Sequence, residues 1–139
     1  MGSSKDCKDA SVVFSILCNA LELQQQASNM GFEWVEVEGI LDKIREEVGE
    51  IEKEIQIQNY KKIKKEIGDL YLVCLHLSQY LKVDPIECLH ISCETFRRRW
   101  EKVQTMITVL PEGSKERIEY LDQLWNQVKC EEESDNLIL

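Results

Sequence analysis

From Ile63 to Leu81 the apolar side chains Ile63, Ile67, Leu70, Cys74, Leu77 and Leu81 fall at alternating steps of four and three residues. Few patterns constrain a chain more: side chains so spaced line one narrow stripe of a helix, the seam along which two nearly antiparallel helices pack. A second stripe precedes it, through Val37, Ile40, Leu41, Ile44, Val48, Ile51 and Ile55. Only the short link "IQNY" separates the two, so the spacing predicts a hairpin of neighbouring helices, about 37–57 and from Asn59 or Tyr60 onward.

The rest of the chain reads the same way. Val12, Val13, Ile16, Leu17, Ala20, Leu21 and Leu23 predict a first helix that stops near Gly31, a residue suited to a helix C-terminus. Asp84, Pro85 and Glu87 form a start signal for a fourth helix, expected to run to Ile107 or Thr108. After the turn "LPEGS", Ser114 is expected to cap a last helix through Ile118, Leu121, Leu124, Trp125 and Val128, with "CEEESDNLIL" as a frayed tail. No segment alternates with period two for long enough to make a sheet. The expectation is an all-α helical bundle, a single domain over 1–139 with its core at about 10–130.

Charge narrows the partners. With Lys+Arg 17 against Asp+Glu 26, a net charge of -9 repels a nucleic-acid backbone, so no nucleic acid polymer is expected. A small phosphorylated ligand remains compatible, because a bound divalent cation reverses the local field. Cys7, Cys18, Cys74, Cys88, Cys93 and Cys130 include no C-x-x-C pair and read as free thiols of a reducing compartment. No apolar run has the length of a membrane span and the start "MGSSKDCKDA" lacks a signal core, so no membrane association and a cytoplasmic location are expected. Asp6 stands where a myristoylation signal needs Ser or Thr.

The chemistry lies in carboxylates. "KIREEVGEIEKE" puts five glutamates into Lys43 to Glu54, and "KKEIGDLY" follows on the next helix. Residues three apart on a helix lie one above the other, so Glu47 with Glu50, and Glu66 with Asp69, each present two carboxylates from one turn. Both pairs border their apolar stripes, so packing the stripes together can bring all four acids to one edge. Two carboxylates about 5 Å apart repel by roughly 3 kcal/mol at an effective dielectric of about 20, so four together need a cation or protons. Hard oxygen ligands suit Mg²⁺ or Mn²⁺ rather than zinc. The bland reading, glutamates as good helix formers on a wet face, stays open on the residues alone.

Other candidates carry similar pairs of readings. Glu87 and His90 have the Glu-x-x-His spacing of di-iron bundles, but such a site needs two copies of the motif. Glu87 is better read as a cap, His90 as a partly buried histidine and His76 as a satisfied core residue rather than a ligand. Trp34, Trp100 and Trp125 fit either core packing or stacking on a base. Arg97, Arg98 and Arg99 cannot all be buried, and one of them, with Lys129, suits phosphate oxygens. No Gly-rich phosphate loop, G-x-S-x-G elbow or cysteine nucleophile signature is present.

Taken in order, "LQQQASNMGFEW", "EGILDKIREEVGE", "KKEIGDLYLVCLHLSQYL", "ETFRRRWEKV" and "LDQLWNQVK" resemble the MazG-like nucleoside triphosphate pyrophosphohydrolases, an all-α group. The resemblance covers Leu23 to Lys129. It implies that Glu47, Glu50, Glu66 and Asp69 hold Mg²⁺, with Mn²⁺ as a substitute, and that Glu46 and Glu47 serve catalysis, Glu46 by orienting or deprotonating water. It implies nucleotide contacts by Arg99, Trp125 and Lys129, and a base and sugar pocket near Gln24, Asn29 and Trp34. The family's N-x-K-F-x-x-R becomes Cys93-Glu94-Thr95-Phe96-Arg97-Arg98-Arg99 here. Thr95 offers one neutral hydrogen bond where lysine brings a charge, and Arg98, on the same face, is the candidate to compensate. The activity implied is Mg²⁺-dependent hydrolysis of an NTP or dNTP to the monophosphate and pyrophosphate, in nucleotide-pool housecleaning. The alternative is a helical nucleotide-binding or protein-interaction module. A homodimer or homotetramer is expected, since wide apolar stripes on thin hairpins cover one another poorly in one small chain.

Overall fold

A computed structural model describes residues 9–136, and these form five α-helices with no strand. They are α1 (Ala10–Asn29), α2 (Val37–Gln56), α3 (Tyr60–Tyr80), α4 (Pro85–Met106) and α5 (Ser114–Asn136). Cys7 and the "MGSSKD" start lie outside the described residues. The chain divides into two compact units, one reaching to Pro85 and one starting at Ile86.

In the first unit, α2 and α3 pack against each other and α1 rests on α3, but the packing is rotated from the predicted stripes, since Val48, Ile55, Cys74 and Leu81 are exposed. Asp9 caps α1, its Oδ1 accepting from the Ser11 N–H at 2.8 Å. That bond holds the Asp9 carboxyl below its ordinary value. The chain leaves α1 through Gly31 at φ +90, where the Phe32 N–H reaches back to the Ala27 carbonyl at 3.0 Å. Two further reversals take the same left-handed form without a glycine. Gln58, at φ 55, turns α2 into α3 while the Asn59 N–H bonds the Glu54 carbonyl at 3.0 Å. Lys82, at φ 57, ends α3 while the Val83 N–H bonds the Ser78 carbonyl at 3.0 Å.

Ile40 is the one fully buried apolar side chain of this unit among the described residues, and it shares the interior with three acids, Glu47, Glu54 and Glu66. A helix pair that buries so little hydrocarbon and so many carboxylates departs from an ordinary core. Val12, Val13, Phe14 and Ile16 meanwhile lie exposed on α1.

In the second unit, Val103 of α4 and Val128 of α5 are fully buried. Phe96 and Trp125 meet with ring centroids 5.1 Å apart, joining the two helices by an aromatic contact. Several details differ from expectation. Helix α4 ends at Met106 rather than Ile107 or Thr108, and Ser114 is the first residue of α5 rather than its cap. The run Cys130–Asn136, read as a frayed tail, continues α5, and Ser134 Oγ there donates to the Cys130 carbonyl at 3.0 Å. His90 is exposed, not partly buried, because its face of α4 carries no covering element within the unit. Cys74, Cys88, Cys93 and Cys130 are exposed free thiols and Cys18 is a half-buried one. No described helix is long and apolar enough to cross a membrane.

Candidate functional site

The α2–α3 packing sets Glu47 on one helix against Glu66 and Asp69 on the other. One carboxylate oxygen from each of the three lies within 4.8 Å of the others. Glu47 is 5% exposed and Glu66 7%, while Asp69 is half-buried at the rim. An octahedral Mg²⁺ binds oxygen at about 2.1 Å, so its adjacent ligands stand about 3.0 Å apart and opposite ones about 4.2 Å. Three oxygens within 4.8 Å of one another must draw closer to reach those separations, and the donor set is hard oxygen throughout, so the chemistry of these residues fits such an ion.

Ammonium groups border the acids. Lys43, one turn before Glu47, places Nζ 2.8 Å from Glu47 Oε1 and 2.9 Å from Glu46 Oε1, and these two bonds raise its pKa. Lys65 pairs with Asp69, which likewise raises the lysine. Glu50 lies one turn beyond Glu47 and bonds Lys53 Nζ at 2.6 Å, an interaction that lowers the Glu50 carboxyl. Glu50 thus stands apart from the three convergent acids. Glu54 follows on the same helix, 5% exposed, with Oε1 bonded to Lys62 Nζ at 3.1 Å and Oε2 without a partner. Lys43 and Glu54, not among the expected site residues, share the helical spacing of Glu47 and Glu50, and that spacing is the signal that marks them in sequence.

Beside this edge lies a cavity of about 400 Å³. Phe32 and Trp34 from the α1–α2 loop and Leu72 and Val73 from α3 form apolar walls, and Gln24, Glu33, Lys43 and His76 bring polar atoms. Lys43 therefore borders both the cavity and Glu47. His76 Nε2 lies 2.7 Å from Glu33 Oε1, and Glu33 also accepts from Ser28 Oγ at 2.6 Å and from the Trp34 backbone N–H at 2.8 Å. Desolvation pushes the Glu33 carboxyl up, but the Ser28, Trp34 and His76 contacts outweigh it and leave the pKa lowered. Asn29 is exposed and accepts from Gln25 Nε2 at 2.8 Å. Of the expected pocket residues, Gln24 and Trp34 line the cavity, while Phe32, Glu33 and His76 are additions.

In the second unit, Glu132 of α5 gathers two arginines of α4: Arg99 Nε at 2.8 Å and Arg98 Nε at 3.2 Å. The Arg99 guanidinium stands 6.0 Å from the Trp125 ring centroid, a cation–π geometry. Thr95 and Lys129 are half-buried, and Glu87, the di-iron candidate, is exposed. The group of acids capable of holding a metal among the described residues is the α2–α3 one.

Carboxylates converging from two neighbouring helices, next to a cavity with aromatic walls, give this all-α protein a candidate acidic metal site. Residues 35–104, half of the chain, match the family described as the MazG nucleotide pyrophosphohydrolase domain, which here spans α2, α3 and most of α4. The chain belongs to the MazG family. It is 33% identical over 122 residues to the nucleoside triphosphate pyrophosphohydrolase/pyrophosphatase MazG of Thermotoga maritima, covering 85% of this chain and 46% of that protein. It is 28% identical over 119 residues to a nucleoside triphosphate pyrophosphohydrolase of Escherichia coli, covering 84% of this chain and 45% of that one. The chain thus spans less than half the length of these relatives.

Proposed function

We propose that this chain is a divalent-cation-dependent nucleoside triphosphate pyrophosphohydrolase, releasing pyrophosphate from an NTP or dNTP and leaving the monophosphate. The observation that carries this reading is the convergence of Glu47, Glu66 and Asp69 from two helices, in a family whose relatives are named for that activity. Glu47, Glu50, Glu66 and Asp69 are the proposed ligands of Mg²⁺, or of Mn²⁺ in its place. A cation held there neutralises triphosphate charge and makes a bound water more acidic. Glu50 would hold the ion with them if it gave up its pairing with Lys53, since a monovalent ammonium competes poorly with a divalent charge. Glu46, exposed and paired with Lys43, is the proposed group that orients or deprotonates water.

Gln24 and Trp34, with Asn29 at the surface, are the proposed contacts for base and sugar. Arg99, Lys129, Trp125, Arg98 and Thr95 are the proposed contacts of the second unit to the nucleotide. Binding there requires phosphate oxygens to displace Glu132 from the two arginines, an exchange of one anion for another. We also place the protein in the cytoplasm, in nucleotide-pool housecleaning, as a homodimer or homotetramer whose contacts cover the exposed apolar face of α1.

The test is to mix the protein with Mg²⁺ and a panel of NTPs and dNTPs and look for monophosphate and pyrophosphate in equal amounts. Release of inorganic phosphate without pyrophosphate contradicts the reaction assigned. Nucleotide binding without turnover supports a binding module instead.

A further inference from the structure

The cavity beside the acids has a polar lining biased toward acceptors. Two of its donors are engaged, which leaves the Trp34 indole N–H: Gln24 Nε2 gives a hydrogen to the Leu72 carbonyl at 2.5 Å, and Lys43 Nζ lies between Glu46 and Glu47. Gln24 Oε1, by contrast, is buried with no partner. His76 completes the pattern. Glu33 already accepts from Ser28 Oγ and the Trp34 N–H, so it is an ionised acceptor, and the His76 ring must offer it a proton from Nε2. A neutral imidazole with its hydrogen on Nε2 carries a lone pair on Nδ1. Among the described residues no hydrogen bond reaches that nitrogen. The neighbouring walls, Phe32 and Trp34, are aromatic, and suit the face of a flat heterocycle.

We propose that His76, its tautomer fixed by Glu33, is a specificity-determining residue that selects a nucleobase bearing an exocyclic amino group, cytosine or adenine, over one presenting a carbonyl there. An amino hydrogen satisfies Nδ1. A carbonyl oxygen at the same point sets lone pair against lone pair in a site with few free donors, and a buried polar group left unmatched weakens binding. This rests on the reading of the cavity as a nucleobase pocket but needs no step of hydrolysis.

Titration calorimetry with free cytidine and free uridine tests it, because neither ligand carries phosphate or turns over. Cytidine is expected to bind about tenfold tighter than uridine, the order of effect of one good hydrogen bond. N4,N4-dimethylcytidine, which lacks the amino hydrogens, is expected to fall to the uridine level on the unaltered protein, so the test does not depend on any variant folding. His76→Phe keeps a flat ring but removes the acceptor and is expected to equalise the two nucleosides. Glu33→Gln, which can serve either tautomer, is expected to shrink the preference. Equal or tighter binding of uridine, no binding of either nucleoside, or a cytidine preference that survives His76→Phe in a variant that melts like the parent overturns the proposal. A protein that hydrolyses nothing yet prefers cytidine refutes the enzyme reading alone.

Discussion

The benzo edge of Trp34 lies so close to Gly39 that a Cβ on Gly39 would stand 2.4 Å from Trp34 Cε3. The third residue of α2 is thus the seat on which the cavity's aromatic wall rests, and the missing side chain is what makes the seat. Gly39→Ala forces the indole to move. Glycine is a poor helix former, so propensity alone favours alanine by about 1 kcal/mol, and the clash acts against this. The expected outcome is a protein that remains folded by circular dichroism while Trp34 fluorescence shifts and nucleoside affinity falls. An unchanged emission spectrum and affinity contradict the seat.

Cation binding at the α2–α3 edge has a thermal signature. An ion that binds only the folded protein stabilises it by about 2.7 kcal/mol at a hundredfold excess over its dissociation constant. Mg²⁺ is therefore expected to raise the melting temperature by several degrees, and Glu66→Gln, Asp69→Asn or Glu50→Gln to reduce that rise. Variants that respond to Mg²⁺ as fully as the parent remove the ligand assignment.

Lys43 supplies the counter-charge to buried Glu47 at 2.8 Å. Removing one partner of a buried pair costs about 3–5 kcal/mol, but Lys43 is itself partly exposed, so roughly 1–2 kcal/mol is expected for Lys43→Met after solvent screening. The same change frees Glu47 for a metal. Melting without added cation should fall, and the Mg²⁺-induced rise should grow. A variant whose Mg²⁺ increment shrinks shows that Lys43 does not compete with the ion.

Glu33 makes the first unit sensitive to acid. Its folded pKa lies below the ordinary 4.5, so the unfolded chain takes up a proton first as the pH falls. The stability it contributes is complete above 4.5 and is lost as the pH drops from there through the lowered folded value. Glu33→Gln is expected to flatten the loss of stability below pH 4.5, measured by urea unfolding across that range. An equal slope in parent and variant rules out this linkage.

Gln58 turns α2 into α3 at φ 55, in the left-handed region where a side chain is strained. Gln58→Gly relieves that strain but gives the unfolded chain more freedom, and the net effect expected is a stabilisation of about 0.5–1 kcal/mol, seen in the denaturation midpoint. A lower midpoint means that the glutamine side chain holds the turn by contacts of its own.

Much of this fold is legible in residue spacing. The four-three stripe of Ile63 to Leu81 locates α3 almost to the residue, Gly31 marks the turn after α1 and Pro85 the first residue of α4, because their backbones favour those positions. Gln58 and Lys82 turn in the same way with ordinary side chains, so the local sequence gives no sign of them. The acids are legible as two pairs, but not their partition. Which carboxylates face inward depends on the rotation of α2 against α3, and that rotation buries Glu54 and leaves Glu50 with Lys53. The Glu33–His76 bond joins residues 43 apart in sequence through the path of a loop, a relation that periodicity does not encode.

Glu47, Glu66 and Asp69 all come from neighbouring helices whose link is residues 57–59. Closing so short a connection loses little chain entropy, and contacts between near neighbours in sequence form early. The three acids are therefore brought together by contacts local in the chain, with no residue of α4 or α5 among them.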